Sequence, residues 1–131
     1  MYILVGALKS NKSFDLAGTK EQMLRGAGYE GFGTINTTLV VIFTDARLDK
    51  LQATKVAQMA QDGMARAICP VHTQFDGDLI FALSVGTKRM DLNTLGTAAA
   101  EVTARAIVNA IKTAKGLGGV PSYQDIRKSV A

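Results

Sequence analysis

The chain has 131 residues, 47% of them hydrophobic and 20% charged. That length and balance fit one folded domain and exclude a disordered chain. The formal charge of +4 invites nucleic acid, but no basic run exceeds a pair (Lys88-Arg89, Arg127-Lys128) and there is no Trp, so the clustered charge and stacking platform of a phosphate-tracking groove are missing.

In chain order, Tyr2 to Leu8 is apolar. It has no basic residue before it and is too short for the core of a secretion signal, so it reads as a strand. Thr19 to Arg25 suits a short helix stopped by Gly26 and Gly28. Gly26, Gly28, Gly31 and Gly33 then mark irregular backbone. Thr37 to Thr44 is β-branched and apolar on both faces, the pattern of a strand buried on both sides of its sheet. Asp45 or Asp49 offers an N-cap for a helix over 49–68, ended by Pro70. In that helix Leu51, Val56, Met59, Met64 and Ile68 fall near one side.

Asp76-Gly77-Asp78 is a turn signal leading into a second buried strand, Leu79 to Val85. Residues 92–115 form the strongest helix. Thr97, Glu101, Arg105, Lys112 and Lys115 trace one polar stripe, with Glu101 and Arg105 as an i,i+4 pair. The rest of its surface is apolar, so the helix is expected to be sandwiched. Gly116, Gly118 and Gly119 terminate it, and Pro121-Ser122 opens a last helix to about Lys128. The order of elements is α/β, with about three strands and two long helices. These elements carry more buried-type surface than they can cover themselves, which points to a missing partner.

Chemistry has few places to sit. Common nucleotide, serine-hydrolase and zinc motifs are absent. Cys69 and His72 are the only Cys and His, too few for a structural zinc site. The lone Cys69 excludes an internal disulfide, and a reducing cytoplasm is the default compartment. No cofactor or metal is expected. No apolar stretch approaches the length of a bilayer span. What remains is a glycine-rich approach to Asn36-Thr37-Thr38 at the mouth of one strand, and Asp76-Gly77-Asp78 at the mouth of another. A hydroxyl and two carboxylates converge if these strands are neighbours. The plainer alternative is that Thr starts strands and Asp-Gly-Asp makes turns.

A longer set of residues adds to this. Asn36 to Val41, Thr44-Asp45-Ala46, Gln52 to Lys55, Asp62 to Ile68, Pro70 to Thr73, Phe75 to Asp78, Phe81-Ala82-Leu83, Gly96 to Val102 and Gly119 to Tyr123 follow one another in order. Through them the chain resembles the DmpA-like N-terminal-nucleophile peptidases. These include β-peptidyl aminopeptidases, L-aminopeptidase/D-esterases and nylon-oligomer hydrolases. The resemblance implies part of an αββα four-layer sandwich, a fold shared with the ornithine acetyltransferases. It implies self-cleavage at Asn36–Thr37, dividing a preceding segment, 1–36, from a nucleophile-bearing segment, 37–131. Thr37 is then the nucleophile, acting on a small peptide or amide. Asp76 and Asp78 match the family's acidic pair and are assigned to orienting the Thr37 hydroxyl and amine. His72 is carried as structural, holding the loop before Asp76. Family members are much longer upstream, where the oxyanion donors lie. The expected partners are therefore an upstream α-chain-like segment or further copies of the chain, with neither nucleic acid nor membrane. Two other readings stand beside this one: a non-catalytic fragment or subunit that acts only with an upstream partner, and an acyltransferase like the ornithine acetyltransferases.

Overall fold

The structure is a computed structural model that describes residues 4–10, 14–26 and 36–130. The elements are α1 (Thr19–Leu24), β1 (Leu39–Ala46), α2 (Lys50–Ala67), β2 (Leu79–Lys88), α3 (Leu92–Thr113) and α4 (Tyr123–Val130). The chain is α/β. It divides into two compact units, residues 34–107 and residues 1–33 with 108–131. The division falls within α3, and the Asn36–Thr37 bond lies inside the first unit.

In that unit β1 and β2 pair in parallel, with Leu39 opposite Leu79, Val41 opposite Phe81 and Phe43 opposite Leu83. The register shifts between Thr44 and Ala46. A parallel pair needs a crossover, and α2 supplies it. Asp49 caps α2: its carboxylate accepts from the Gln52 N–H at 2.8 Å, and the Gln52 side chain accepts from the Asp49 N–H at 3.0 Å. This reciprocal box satisfies two otherwise orphaned donors. Asp91 caps α3, accepting from the Thr94 N–H at 2.8 Å and its hydroxyl at 3.0 Å.

The core lies on one face of the sheet. Ile42 and Ala46 of β1 and Ile80 of β2 pack with Val56, Ala60 and Met64 of α2 and Leu95 and Ala99 of α3. The two helices approach closely where a Cβ on Gly63 would collide with the Ala100 carbonyl and crowd Thr103. Glycine is the residue that permits this contact.

The other face is open. Leu39, Val41 and Phe43 are 66%, 51% and 68% exposed, and Leu79, Phe81, Leu83 and Val85 also face outward. Both faces are apolar, as the sequence indicates, but only one is covered. The reading of strands buried on both faces is corrected accordingly: in this unit α2 and α3 pack on one side of the sheet. The same holds for α3, which is not sandwiched. It buries Leu95, Gly96, Ala99, Ala100 and Thr103, whereas Val102 is 52% exposed. Leu51 of α2 is also exposed, because helical geometry puts it on the face opposite Ala60 and away from Val56 and Met64. Glu101 pairs with Arg66 at 3.8 Å; no ion pair joins it to Arg105.

The described residues contain two strands, not three. Tyr2 and Ile3 lie outside them. Leu4 to Leu8 form no strand, and Leu8 makes only an isolated antiparallel bridge with Leu16. In this second unit Leu117 bridges back to Val120, and Ser122 and Asp125 cap α4 reciprocally, with Ser122 N–H and hydroxyl donating to Asp125 at 2.9 and 2.7 Å. Among the described residues, no helix is long and apolar enough to cross a membrane.

Candidate active site

Parallel strands that start in register bring their preceding residues together. Asn36 pairs with Asp76 in a parallel bridge just ahead of β1 and β2. The Asn36 N–H donates to the Phe75 carbonyl at 3.0 Å, the Gly77 N–H donates to the Asn36 carbonyl at 2.8 Å, and the Leu79 N–H donates to the Thr38 carbonyl at 3.0 Å. The two segments of interest therefore run side by side. Thr37 is exposed, and its Oγ1 lies 2.7 Å from where a Cβ on Gly77 would stand.

The two carboxylates are held differently. Asp78 is nearly buried, with 5% of its side chain exposed. Its Oδ1 accepts from the Thr38 N–H at 2.9 Å. Its Oδ2 accepts from the His72 N–H at 3.3 Å and lies 2.9 Å from His72 Nδ1. A buried carboxylate needs such donors to be tolerated. Asp76 closes its own loop. Its Oδ2 accepts from the Thr73 N–H at 2.9 Å and the Thr73 hydroxyl at 2.7 Å, and its N–H donates to the Thr73 carbonyl at 3.1 Å.

His72 has φ 55, the left-handed region that a non-glycine residue occupies only at some cost, of order 1 kcal/mol or more. Its backbone N–H and ring nitrogen both turn toward Asp78, and this double contact holds the conformation. His72 thus has the structural role expected of it, closing the loop around Asp76 through Asp78, and Thr73 adds a second tie directly to Asp76.

All four residues singled out from the sequence, Asn36, Thr37, Asp76 and Asp78, meet at one place. The direct contacts of the two carboxylates go to the Thr38 backbone, His72 and Thr73; no hydrogen bond joins either to the Thr37 hydroxyl. Asp78 thereby fixes the backbone just after Thr37, and Asp76 fixes the loop whose Phe75 and Gly77 backbone groups pair with Asn36. Thr73 and Gly77 escaped the sequence reading. Thr73 had a signal, because a Thr three residues before an Asp is a local side-chain-to-backbone turn pattern. Among the described residues, no cluster of three or more His, Cys, Asp or Glu is placed to hold a metal ion. An open depression lined by Arg66, Asn93, Thr94, Thr97, Ala98 and Glu101 contains none of the site residues.

The chain matches Peptidase family S58 over residues 3–124. It belongs to that family. An uncharacterized aminopeptidase of Mycobacterium leprae (strain TN) is 38% identical over 104 residues, covering 68% of this chain and 29% of the relative. One of Mycobacterium tuberculosis (strain ATCC 25618 / H37Rv) is 35% identical over 106 residues, covering 70% and 31%. A 6-aminohexanoate-oligomer endohydrolase of Kocuria sp. (strain KY2) is 33% identical over 92 residues, covering 59% and 25%. The S58 chain described here thus spans less than a third of the length of these relatives.

Proposed function

We propose that residues 36–78 carry the nucleophile-bearing site of an autoprocessing N-terminal-threonine amidohydrolase or aminopeptidase. The polypeptide cleaves itself between Asn36 and Thr37, and Thr37 then hydrolyses small peptides or amides. The single observation behind this reading is the pairing of Asn36-Thr37-Thr38 with Asp76-Gly77-Asp78 at the mouths of two parallel strands.

The residue types suit the chemistry. A threonine hydroxyl is a weak nucleophile at neutral pH and needs a local base. A freed α-amino group has a pKa near 8 and sits on the same residue, so proximity is built in. Asp78, holding the Thr38 N–H, keeps the chain beside that amine in place, and its negative charge favours the ammonium form that arises as the amine takes the proton. Asp76, tied to Thr73, fixes the strand that faces the bond to be cut. Relatives named as aminopeptidases and an oligomer endohydrolase favour hydrolysis over acetyl transfer.

The expected result is an intact mass split into residues 1–36 and 37–131, with Thr37→Ala leaving one chain. An unsplit wild-type chain, alone and co-expressed with the upstream segment of a full-length relative, contradicts the proposal.

A second reading has its own support. The open apolar face of β1 and β2 and the small share of its relatives that the chain spans favour a subunit or piece that works only with an upstream segment. In that reading the upstream segment lays a second sheet on the open face, completing the αββα sandwich and supplying the oxyanion donors for substrate. Amidase activity of the chain by itself tests it: activity without the upstream segment contradicts the dependence.

A further inference from the structure

We propose that Gly77 is the residue that makes the Asn36–Thr37 bond cleavable: its N–H stabilises the oxyanion formed on Asn36, and its missing Cβ leaves the space in which the Thr37 hydroxyl stands. The inference rests on the self-cleavage reading given above and adds a residue to it.

Two independent contacts carry it. The Gly77 N–H donates to the Asn36 carbonyl oxygen at 2.8 Å. That oxygen belongs to the peptide bond expected to break and is the atom on which negative charge develops, so a donor already bound to it is aimed where that charge forms. The donor is backbone, fixed by the ladder on either side, so it needs no reorganisation when charge develops. Independently, a Cβ on Gly77 would lie 2.7 Å from Thr37 Oγ1 and 3.7 Å from Thr37 Cβ and Cγ2. Only the hydroxyl is crowded. The backbone does not itself demand glycine, because Gly77 is not among the residues with positive φ. An alanine can take this backbone; what it cannot do is share the space with the hydroxyl.

The reaction balances as follows. Thr37 Oγ1 bonds to the Asn36 carbonyl carbon, and the carbonyl π pair moves onto the oxygen that faces the Gly77 N–H. The Asn36–Thr37 C–N bond then breaks, and the hydroxyl proton ends on the Thr37 nitrogen through solvent. This leaves an ester between Asn36 and Thr37 Oγ1 and a free amine. One water hydrolyses the ester to the Asn36 carboxylic acid and the Thr37 hydroxyl.

The test follows self-cleavage of the 131-residue chain by intact mass over time, in wild type, Gly77→Ala and Gly77→Ala/Thr37→Ser. A displacement of about 1 Å at a reacting group slows reaction about 100-fold, so Gly77→Ala is expected to cleave about 100-fold slower. Serine lacks Cγ2 and can rotate its hydroxyl away from the added methyl, so the double variant should regain part of the rate. Cleavage of Gly77→Ala at the wild-type rate overturns the inference and leaves self-cleavage standing. A wild-type chain that never splits, either alone or co-expressed with the upstream segment of a full-length relative, overturns both. A thermal-melt cycle keeps the test open if Gly77→Ala folds poorly. Gly77→Ala should lower Tm with Thr37 present and leave it unchanged in the Thr37→Ala background, where no hydroxyl remains to clash. An equal loss in both backgrounds overturns the contact.

Discussion

Asp78 accepts at both oxygens while almost fully buried, and its partners are the Thr38 N–H and both nitrogens of His72 that face it. Charged hydrogen bonds of this kind contribute about 1.5–3 kcal/mol each, and removing one partner strands the others. Asp78→Ala is therefore expected to lower stability by about 2–3 kcal/mol in denaturant melts, with Asp78→Asn intermediate because its amide oxygen still accepts. Both variants should also slow any cleavage at Asn36–Thr37, because the backbone after Thr37 loses its anchor. Retention of full stability in Asp78→Ala contradicts the structural role. At this scale residue type singles out Thr37, Asp76 and Asp78 as hydroxyl and carboxylate groups, and their segments meet at the mouths of β1 and β2. The approach of Gly77 to Thr37, and Asp78 as the partner of His72, do not show in residue type. An Asp-Gly-Asp sequence reads as a turn, yet Gly77 has no positive φ, and the space a Cβ would take there is filled by Thr37 Oγ1. That depends on which strand lies alongside, and strand neighbours do not show in local sequence.

The elements rest on caps and one tight crossing. The Ser122 hydroxyl, and then the Ser122 N–H, hold the Asp125 carboxyl below its usual range at the start of α4; the Thr94 N–H and hydroxyl do the same for Asp91 at the start of α3. A carboxyl with its folded pKa depressed stabilises above its unfolded pKa, and that contribution disappears as pH falls through the folded pKa. The Tm difference between wild type and Asp125→Asn should therefore be present at neutral pH and vanish in acid, below the ordinary carboxylate range. A difference that persists there contradicts the capping account.

At the crossing, Gly63→Ala should destabilise by about 1–3 kcal/mol, although alanine is the better helix former by about 1 kcal/mol, because its methyl meets the Ala100 carbonyl. Thr103, buried beside it, has a hydroxyl without a partner among the described residues. Thr103→Val should be neutral or stabilising in the same melts, since it removes an unsatisfied polar atom without changing shape. The capping residues and the extents of α2 and α4 were close to legible, because capping boxes are local. The expected strand at Tyr2 to Leu8 was not, since an apolar run becomes a strand only where it finds a partner.

At the scale of the unit over residues 34–107, the decisive feature is the sheet face that its described residues leave exposed. Leu39, Val41, Phe43, Leu79, Phe81, Leu83 and Val85 line one side of a two-stranded sheet. An apolar surface of that kind drives association. The isolated chain should self-associate in light scattering, and Phe43→Lys with Phe81→Lys should reduce association without lowering Tm, because neither side chain contributes to the core. A monodisperse monomer of the wild-type chain contradicts this. The surplus of apolar strand surface was readable from sequence; that it would stand as one bare face was not, because which side the two long helices cover is decided by packing. The central claim remains the bond between Asn36 and Thr37. Intact-mass analysis of wild type and Thr37→Ala, each with the upstream segment of a full-length relative, tests it most directly. Cleavage between Asn36 and Thr37 in wild type, and a single chain in Thr37→Ala, is the predicted result. An uncut wild type, or a cut at that bond that persists in Thr37→Ala, contradicts it.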